Sequence, residues 1–524
     1  MKTFSIFVIT FLSLLVFPWQ AQAQQETRPV APSDTIDPTK GHPKKQLKEI
    51  KEEKEELLVD STGNEPKKTS LVDTTIQNKY GDLLNDDTAY NKKYPIWIPL
   101  FESACANAII WSIDKYMLNA DFAQIGTETW KANLKHTGEW DQDKFGVNFI
   151  GHPYSGTLYY NAGRSNGYNY FQSGLVAVAG SLMWEYFGEN TPPSYNDVIV
   201  TPVNGAFFGE IFYRLSSNIL DDRTTGIQRI SRELLAGLIN PMRGLNRILQ
   251  GKTFRRTNKE VYQKEPLNVT LYSGFHLINQ GLIPDFKDNT TSILFNAQFD
   301  YGNPFEHRFR KPYDFFKFRV EMDFGVGEKI LSNATGYGIL GGKNVRYGNH
   351  SLLFGSFQYY DYWDNNTFEL GAIGFGGGIF SKIPIAKESD LYTNIHAAVI
   401  PFSGNSTHFG PDTASEFRDY NFGGGLEGKF ESTLNIGKHA SASMIFYYFF
   451  IHTYEGIPGN NYIGILKPRI TVRLFKGLSI GGEYYVYYND RQIQGFETIH
   501  SKRSEQKIFL LYYFEDNQRR GKYN

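Results

Sequence analysis

Apolar and polar residues alternate along the chain from residue 265 to its C-terminal end. The clearest run covers residues 316–327, where apolar residues alternate with Lys317, Arg319, Glu321, Asp323 and glycines. A period of two places every second side chain on the same face of a β-strand. In each alternating segment the charged residues lie on the same face of the strand. The closed core of a soluble β-sandwich would not accommodate this number of charged side chains. The pattern therefore predicts a membrane β-barrel, with its apolar face toward lipid and its charges lining a wet lumen.

About twelve such runs are present, each long enough to cross an outer membrane as a tilted strand. They lie near residues 266–279, 290–303, 315–328, 335–345, 351–363, 367–380, 391–402, 420–435, 439–453, 462–474, 478–490 and 502–514. An even strand number brings both ends of a bacterial single-chain barrel to the periplasm. We therefore predict an all-β membrane barrel of antiparallel strands over residues 265–516, followed by a polar tail over 517–524.

The period changes to that of a helix in the preceding segment, residues 94–255. Helices are expected over residues 96–118, 155–166, 170–188, 195–219 and 223–256. The first of these is apolar but interrupted by polar residues, so we interpret it as a buried amphipathic helix and not as a membrane span. A twelve-stranded lumen is wide enough to need filling. We therefore expect this α-helical domain to plug the barrel or to cap its inner mouth from the periplasm.

The last helical stretch, residues 223–256, is strongly basic. It holds seven arginines and Lys252 against the single acid Glu233. A basic amphipathic helix of this kind can rest on an anionic membrane surface. Alternatively, the arginines pair with carboxylates of a neighbouring element, and the sequence leaves both interpretations open.

The N-terminal residues indicate export. Lys2, an apolar run over residues 4–17 and the small residues Ala21 and Ala23 are typical of a cleaved signal peptide over residues 1–23. Residues 24–93 are rich in proline and charge, which predicts a disordered periplasmic tether. We therefore expect the protein in the outer membrane, with outer-membrane lipids and the barrel-assembly machinery as its partners.

Composition excludes some partners and chemistries. The formal net charge of -1, from 54 basic and 55 acidic residues, gives no reason to expect nucleic acid as a partner. Aromatic residues make up 16% of the chain although the mean hydropathy is only -0.40, which fits half-apolar strands. The single cysteine, Cys105, excludes a disulfide framework and is expected to be buried by packing. A glycine pattern at residues 423–428 resembles a dinucleotide loop but lies within a predicted strand, so no cofactor is expected.

Polar residues concentrate within the predicted helical domain. They occur in the segments 143–156, 164–167, 184–189, 193–197, 204–205 and 209–210. These segments resemble a family of outer-membrane proteins of Gram-negative bacteria, domain of unknown function 3943, over about residues 94–255 and the following barrel. The resemblance implies an uncharacterised outer-membrane protein and no assigned reaction. A second similarity, to VanZ-like membrane helices, rests on the order of a few residues: Asp143, Lys144, His152, Glu185, Ser194, Asp197 and Asn204.

The polar residues allow three interpretations. His152 with Glu185 or Asp197, and Ser155 as nucleophile, would form a catalytic site for a lipid ester. His152 with Glu185, Glu189 and Asp197 would instead bind a divalent metal, whose identity the sequence does not indicate. In the third interpretation these groups satisfy one another where helices pack, with Arg164 and Arg214 as partners. We expect a structural or transport-related role without a named substrate. The alternative is a lipid-modifying acyl ester hydrolase or transferase.

Overall fold

The computed structural model describes residues 93–514, except for residues 259, 281–288, 307–309, 326–328, 366 and 407–419. The predicted signal peptide, nearly all of the predicted tether and the predicted polar tail lie outside the described residues. The described part consists of a helical domain followed by a barrel.

Seven α-helices form the helical domain. They are α1 (Trp97–Tyr116), α2 (Thr127–Asn133), α3 (His152–Ser165), α4 (Tyr170–Phe187), α5 (Tyr195–Ile219), α6 (Gly226–Ile239) and α7 (Pro241–Leu249). α5 starts and ends where the sequence predicts. The Ser194 side chain fixes its start by accepting a hydrogen bond from the Asp197 backbone N–H. The predicted helix over residues 223–256 is instead two helices, since Asn240 leaves the helical conformation and Pro241 opens α7. α2 and a π-helical turn at Val147–Gly151 were not predicted.

Twelve antiparallel strands close into a barrel in which each strand pairs with its neighbours in sequence and β1 pairs with β12. They are β1 (Leu267–Gln280), β2 (Asn289–Tyr301), β3 (Phe316–Phe324), β4 (Leu331–Tyr347), β5 (His350–Asp364), β6 (Glu369–Ala386), β7 (Ser389–Ser406), β8 (Asn421–Ile436), β9 (Ala440–Glu455), β10 (Gly459–Phe475), β11 (Leu478–Ile493) and β12 (Ile499–Phe514). The prediction of an all-β barrel of about twelve strands is confirmed.

The closed sheet of β1–β12 forms the wall of the barrel, and its charged face lines the lumen. Lys317 of β3 lies 2.9 Å from Glu431 of β8, and Lys429 of β8 lies 2.5 Å from Asp361 of β5. These strands are not neighbours in the sheet, so the contacts cross the interior of the barrel. Another such pair joins Lys507 of β12 to Glu321 of β3. Lys317 is 16% exposed and the other side chains of these pairs are no more than 6% exposed, so the described lumen is largely filled by its own side chains and is not the open lumen predicted.

The helical domain packs against the outside of the barrel. Phe207 and Phe208 of α5 contact the rings of Phe318 and Tyr360, with centroids 4.7–6.2 Å apart. These barrel residues alternate with Arg319 and Asp361, which face the lumen, so they face outward. Phe149 likewise fills the space that β-carbons would occupy at two glycines of β6 and β7, Gly371 and Gly404. The predicted plug position is therefore wrong, because the lumen is already full and the outer face offers an apolar surface with glycine recesses.

The helices carry their polar side chains inside and many large apolar ones outside. α1 buries Ser103, Asn107 and Asp114, whereas Phe101 and Ile109 on its opposite face are more than 60% exposed. The prediction that α1 is buried through its apolar face is therefore wrong. Cys105 is exposed on the same side, which also corrects its predicted burial. None of the described helices is long and apolar enough to qualify as a membrane-spanning helix.

Small residues bring the helices into close contact. A β-carbon at Gly205 of α5 would lie 2.5–2.8 Å from backbone atoms of Gly156 in α3. A β-carbon at Gly209 would lie 2.5 Å from the ring of Tyr160. Such seams allow backbone-to-backbone packing, which is a common way for helices to associate in lipid.

The Gly156–Gly205 seam can be tested by adding one methyl group. We expect Gly205→Ala to lower the stability of the purified protein by about 1–3 kcal/mol, because the seam leaves no room for the added carbon. Gly174→Ala in α4 is the matched control, since apart from its chain neighbours and the backbone of its own helix no atom lies within 4 Å of its new methyl group. There we expect no loss, and a gain of up to about 1 kcal/mol from helix propensity. Thermal unfolding in detergent measures both, and equal stability of the two variants would contradict the seam.

Candidate functional site

Four segments meet at one end of the helical domain. They are the residues before the π-helical turn, the start of α3, the end of α4 and the start of α5. A parallel bridge between Glu139 and Ser194 joins the first segment to the last, through hydrogen bonds of 2.9 Å from Glu139 N to Pro193 O and from Tyr195 N to Glu139 O. This bridge places Asp141 beside the N-terminal turn of α5.

Asp141 is the centre of a hydrogen-bond network. Its carboxylate accepts from Asn196 Nδ2 at 2.7 Å, from Asn148 Nδ2 at 3.0 Å and from Ser194 Oγ at 3.3 Å. Burial opposes ionisation of this carboxyl, but hydrogen bonds from Asp197, Asn148 and Asn196 outweigh it and lower the pKa of Asp141. Asp141 is not among the site residues predicted from the sequence. The Asp-x-Asp spacing with Asp143 is the signal that would have identified it.

His152 lies between two carboxylates. Its Nε2 atom is 3.3 Å from Asp143 Oδ2 and 3.6 Å from Asp197 Oδ1. Burial opposes the charged imidazole, but the hydrogen bond and the negative charge of Asp143 outweigh it and raise the pKa of His152 above 6.5. The two carboxylates therefore stabilise a proton on the His152 imidazole.

Two glutamates complete the acidic cluster. Glu185 is 1% exposed and accepts a hydrogen bond of 2.8 Å from the backbone N–H of Ser194. Glu189 follows the end of α4, and its burial together with the charge of Asp143 raises its pKa well above the usual value. The site therefore holds more carboxyl groups than can ionise together.

A cavity of about 150 Å³ opens beside the cluster. Asp143, His152, Ser155, Glu185 and Glu189 are among the residues that line it. The structure thus brings the predicted site residues His152, Ser155 and Glu185 to one cavity and places Asp197 against His152. Among the described hydrogen bonds, none joins the Ser155 hydroxyl to His152, so this arrangement does not show Ser155 activated as a nucleophile.

The residues placed to bind a divalent metal differ from those predicted from the sequence. One ligand atom each of Asp141, Asp143 and His152 lies within 4.8 Å of the other two. Carboxylate oxygens and an imidazole nitrogen are suitable ligands for a divalent cation. This set shares only His152 with the ligands predicted from the sequence.

The predicted structural network also exists, but at a separate place. Glu210 of α5 is fully buried and binds Arg164 at 2.7 Å, Arg214 at 2.8 Å and the Tyr160 hydroxyl at 2.6 Å. The partners expected for His152 therefore belong to Glu210. His152 is left facing the cavity.

The basic stretch of α6 and α7 pairs largely with carboxylates. Arg247 lies 3.0 Å from Asp222 and 2.7 Å from Glu233, while Arg229 lies 2.9 Å from Asp222 and 2.8 Å from Glu233. Of the two interpretations left open by the sequence, the structure shows the pairing of these arginines with acids.

Comparison with known proteins identifies a family over part of the chain. Residues 137–242 match the family described as Domain of unknown function (DUF3943). This segment contains the whole acidic cluster, and the predicted resemblance is confirmed over it. A search of curated proteins gave no match. The VanZ-like similarity has no support among these findings.

Solved structures of outer-membrane proteins align with about half of the chain. The outer-membrane channel DcaP of Acinetobacter baumannii is 10% identical, with 47% of this chain and 96% of that chain covered and a TM-score of 0.22. The toluene transporter TodX of Pseudomonas putida is 6% identical, with coverage of 49% and 90% and a TM-score of 0.21. OmpT of Vibrio cholerae is 7% identical, with coverage of 47% and 97% and a TM-score of 0.20.

The charge on His152 gives a pH-dependent prediction. Diethyl pyrocarbonate modifies only the neutral imidazole, so we expect half-maximal modification of His152 above pH 6.5. In Asp143→Asn the midpoint should fall, because the largest contribution that raises the pKa of His152 is removed while burial remains. Glu139→Gln, a change at an exposed neighbouring carboxylate, should leave the midpoint unchanged. Peptide mass mapping across pH measures it, and an unchanged midpoint in Asp143→Asn would contradict the described geometry.

Proposed function

We propose that this chain is an integral outer-membrane protein whose barrel crosses the lipid layer. Where the helices do not cover the wall, its outward-facing side chains are large, apolar and exposed. Phe275 is 68% exposed, Ile508 65% and Ile470 62%. The charged side chains of the same strands are paired inside the lumen. This distribution is unfavourable in water and matches a wall that faces lipid.

The connections between strands support an orientation. At one end of the barrel four tight turns, at residues 348–349, 387–388, 437–439 and 476–477, lie together with the first residue of β1 and the last of β12. Short turns and both ends of the barrel face the periplasm in bacterial outer-membrane barrels. Tyr420 precedes β8 at the opposite end, and its hydroxyl contacts Asn148 Nδ2 at 2.5 Å and Asp143 O at 2.9 Å. The acidic cluster therefore belongs to the half of the barrel that faces the cell exterior.

Within a structural or transport-related role, the packed lumen favours the structural part. Lumen-facing Lys429, Glu431 and Lys507 are each no more than 5% exposed and are engaged by partners across the barrel. With its lumen filled, the barrel acts as a rigid anchor. It holds the helical domain and the acidic cluster at a fixed depth in the membrane.

A lipid-modifying activity is the second candidate, and the position of His152 favours it. The imidazole lines a cavity between Asp143 and Asp197, in a domain that packs on the outer face of the wall. In ester hydrolysis at this site, His152 takes a proton from water as the water oxygen bonds to the acyl carbon. The ester C–O bond then breaks, and the imidazolium returns the proton to the leaving alcohol. Water is the nucleophile in this scheme because Ser155 has no hydrogen bond to His152.

The membrane placement is tested by a charge on the outer face. We expect Ile508→Arg to destabilise the inserted barrel by about 2–4 kcal/mol, because the guanidinium would face lipid. Glu388→Arg, in a tight turn at the periplasmic end, is the control and should be neutral. The fraction of heat-modifiable protein in isolated outer membranes measures both. Equal tolerance at the two positions, or recovery of the wild type as a soluble periplasmic protein, would refute the placement.

The lipid-modifying candidate is tested by the lipids of cells that express the protein. We expect mass spectra of outer-membrane phospholipids and lipid A to show a loss or exchange of acyl chains, and His152→Gln to abolish the change while the barrel remains heat-modifiable. His439→Gln, in an exposed turn, should keep the wild-type lipid profile. If lipid profiles of expressing and deleted cells are identical, the enzymatic candidate falls and the anchor role remains.

A further inference from the structure

We infer that the helical domain is immersed in the lipid layer beside the barrel, with the acyl chains of outer-membrane lipids as the partner of its exposed apolar faces. This inference rests on the membrane placement proposed for the barrel. It adds that a second, helical surface of the same chain faces lipid.

The surface that the helices cover is continuous with the lipid-facing wall of the barrel. The helices cover outward residues of β3, β5 and β7, among them Phe318, Tyr360 and Phe402, each no more than 5% exposed. Outward residues just beyond this contact are open, for example Val399 at 56%. Covered and open positions belong to the same face of the same strands. A domain attached to this face lies at the depth of the lipid.

α5 follows the wall of the barrel over nearly its whole length. Near the start of α5, Tyr195 contacts Trp140. Trp140 in turn packs on Phe422, at the end of β8 that faces the cell exterior. Just before the end of α5, Asn218 donates a 3.0 Å hydrogen bond to the carbonyl of Glu265, next to the periplasmic start of β1. Its 25 residues extend about 37 Å, which is comparable with the roughly 30 Å hydrocarbon layer.

The helices carry apolar side chains outside and polar side chains inside. Exposed apolar side chains on the outer surface of the domain recur at helical spacing; they include Phe101, Cys105, Ile109, Ile113, Phe171, Leu175, Leu182, Ile227, Ile230, Leu234 and Leu238. The interior instead holds ion pairs such as Glu210 with Arg164, removed from solvent. A domain in water places these two classes the other way round. Apolar side chains outward and satisfied polar groups inward are what a lipid environment requires.

Cys105, the only cysteine of the chain, provides the probe. It lies on the exposed face of α1, so a bimane label attached to it reports on whatever covers that face. The purified full-length protein is placed in phosphatidylcholine vesicles with and without bromine on the acyl chains, and bromine quenches only fluorophores that contact the chains. In a Cys105→Ser background, Phe275→Cys on the bare wall is the positive control and Lys438→Cys in a periplasmic turn is the negative control.

We expect bromolipid to quench Cys105-bimane to within about twofold of Phe275→Cys, and at least about threefold more than Lys438→Cys, because both apolar sites would contact acyl chains. Quenching at Phe275→Cys without quenching at Cys105 would overturn the inference while leaving the membrane barrel intact. A Cys105 disulfide dimer of the unlabelled protein in vesicles, together with an unquenched label in the parallel labelled sample, would assign the face to a second copy and also overturn it. No quenching even at Phe275→Cys would remove the membrane placement and this inference together.

Discussion

The contact between α5 and the outer face of the wall is the interaction on which the arrangement of this protein depends. Phe207 and Phe208 lie against Phe318 and Tyr360, and the Val203 carbonyl of α5 accepts a hydrogen bond of 2.9 Å from Gln358. Because α5 also supplies Asp197 at its first turn and Glu210 at its centre, this docking fixes the acidic cluster and the buried ion pairs relative to the barrel. The other helices reach the wall mainly by packing on α3 and α5.

The packed lumen and the attached domain are linked consequences of one distribution of side chains. Charges that meet across the barrel, such as Lys317 with Glu431, leave no space inside for helices. The helices therefore find their apolar surface outside, where Gly371 and Gly404 accept the ring of Phe149. The filled barrel serves as a rigid support, and the acidic cluster with His152 lies in the helical domain attached to it.

Alternation in the sequence was sufficient to predict the strands, their number and the two faces of the wall, because a period of two is a local property. It was not sufficient to place the helices. Phe318 and Ile508 occupy equivalent outward positions in their strands, yet Phe318 is covered by α5 and Ile508 is open. His152, Glu185 and Asp197 could be selected as polar residues on apolar helices, whereas Asp141 depends on a bridge between residues 139 and 194 that no local pattern records. Helical periodicity also cannot tell which face of α1 is covered, and so Cys105 was misplaced.

The exposed apolar faces of the helices have a consequence for biogenesis. The helices precede the strands in the chain and are made first, but the wall on which α5 docks exists only after β3, β5 and β7 have come together. In the membrane placement proposed above, the chain crosses the periplasm before then with two exposed apolar surfaces, one on the helices and one on the strands that will form the barrel. We expect both surfaces to enter the membrane in one step. Helices whose apolar faces stay in water would aggregate before the barrel could cover them.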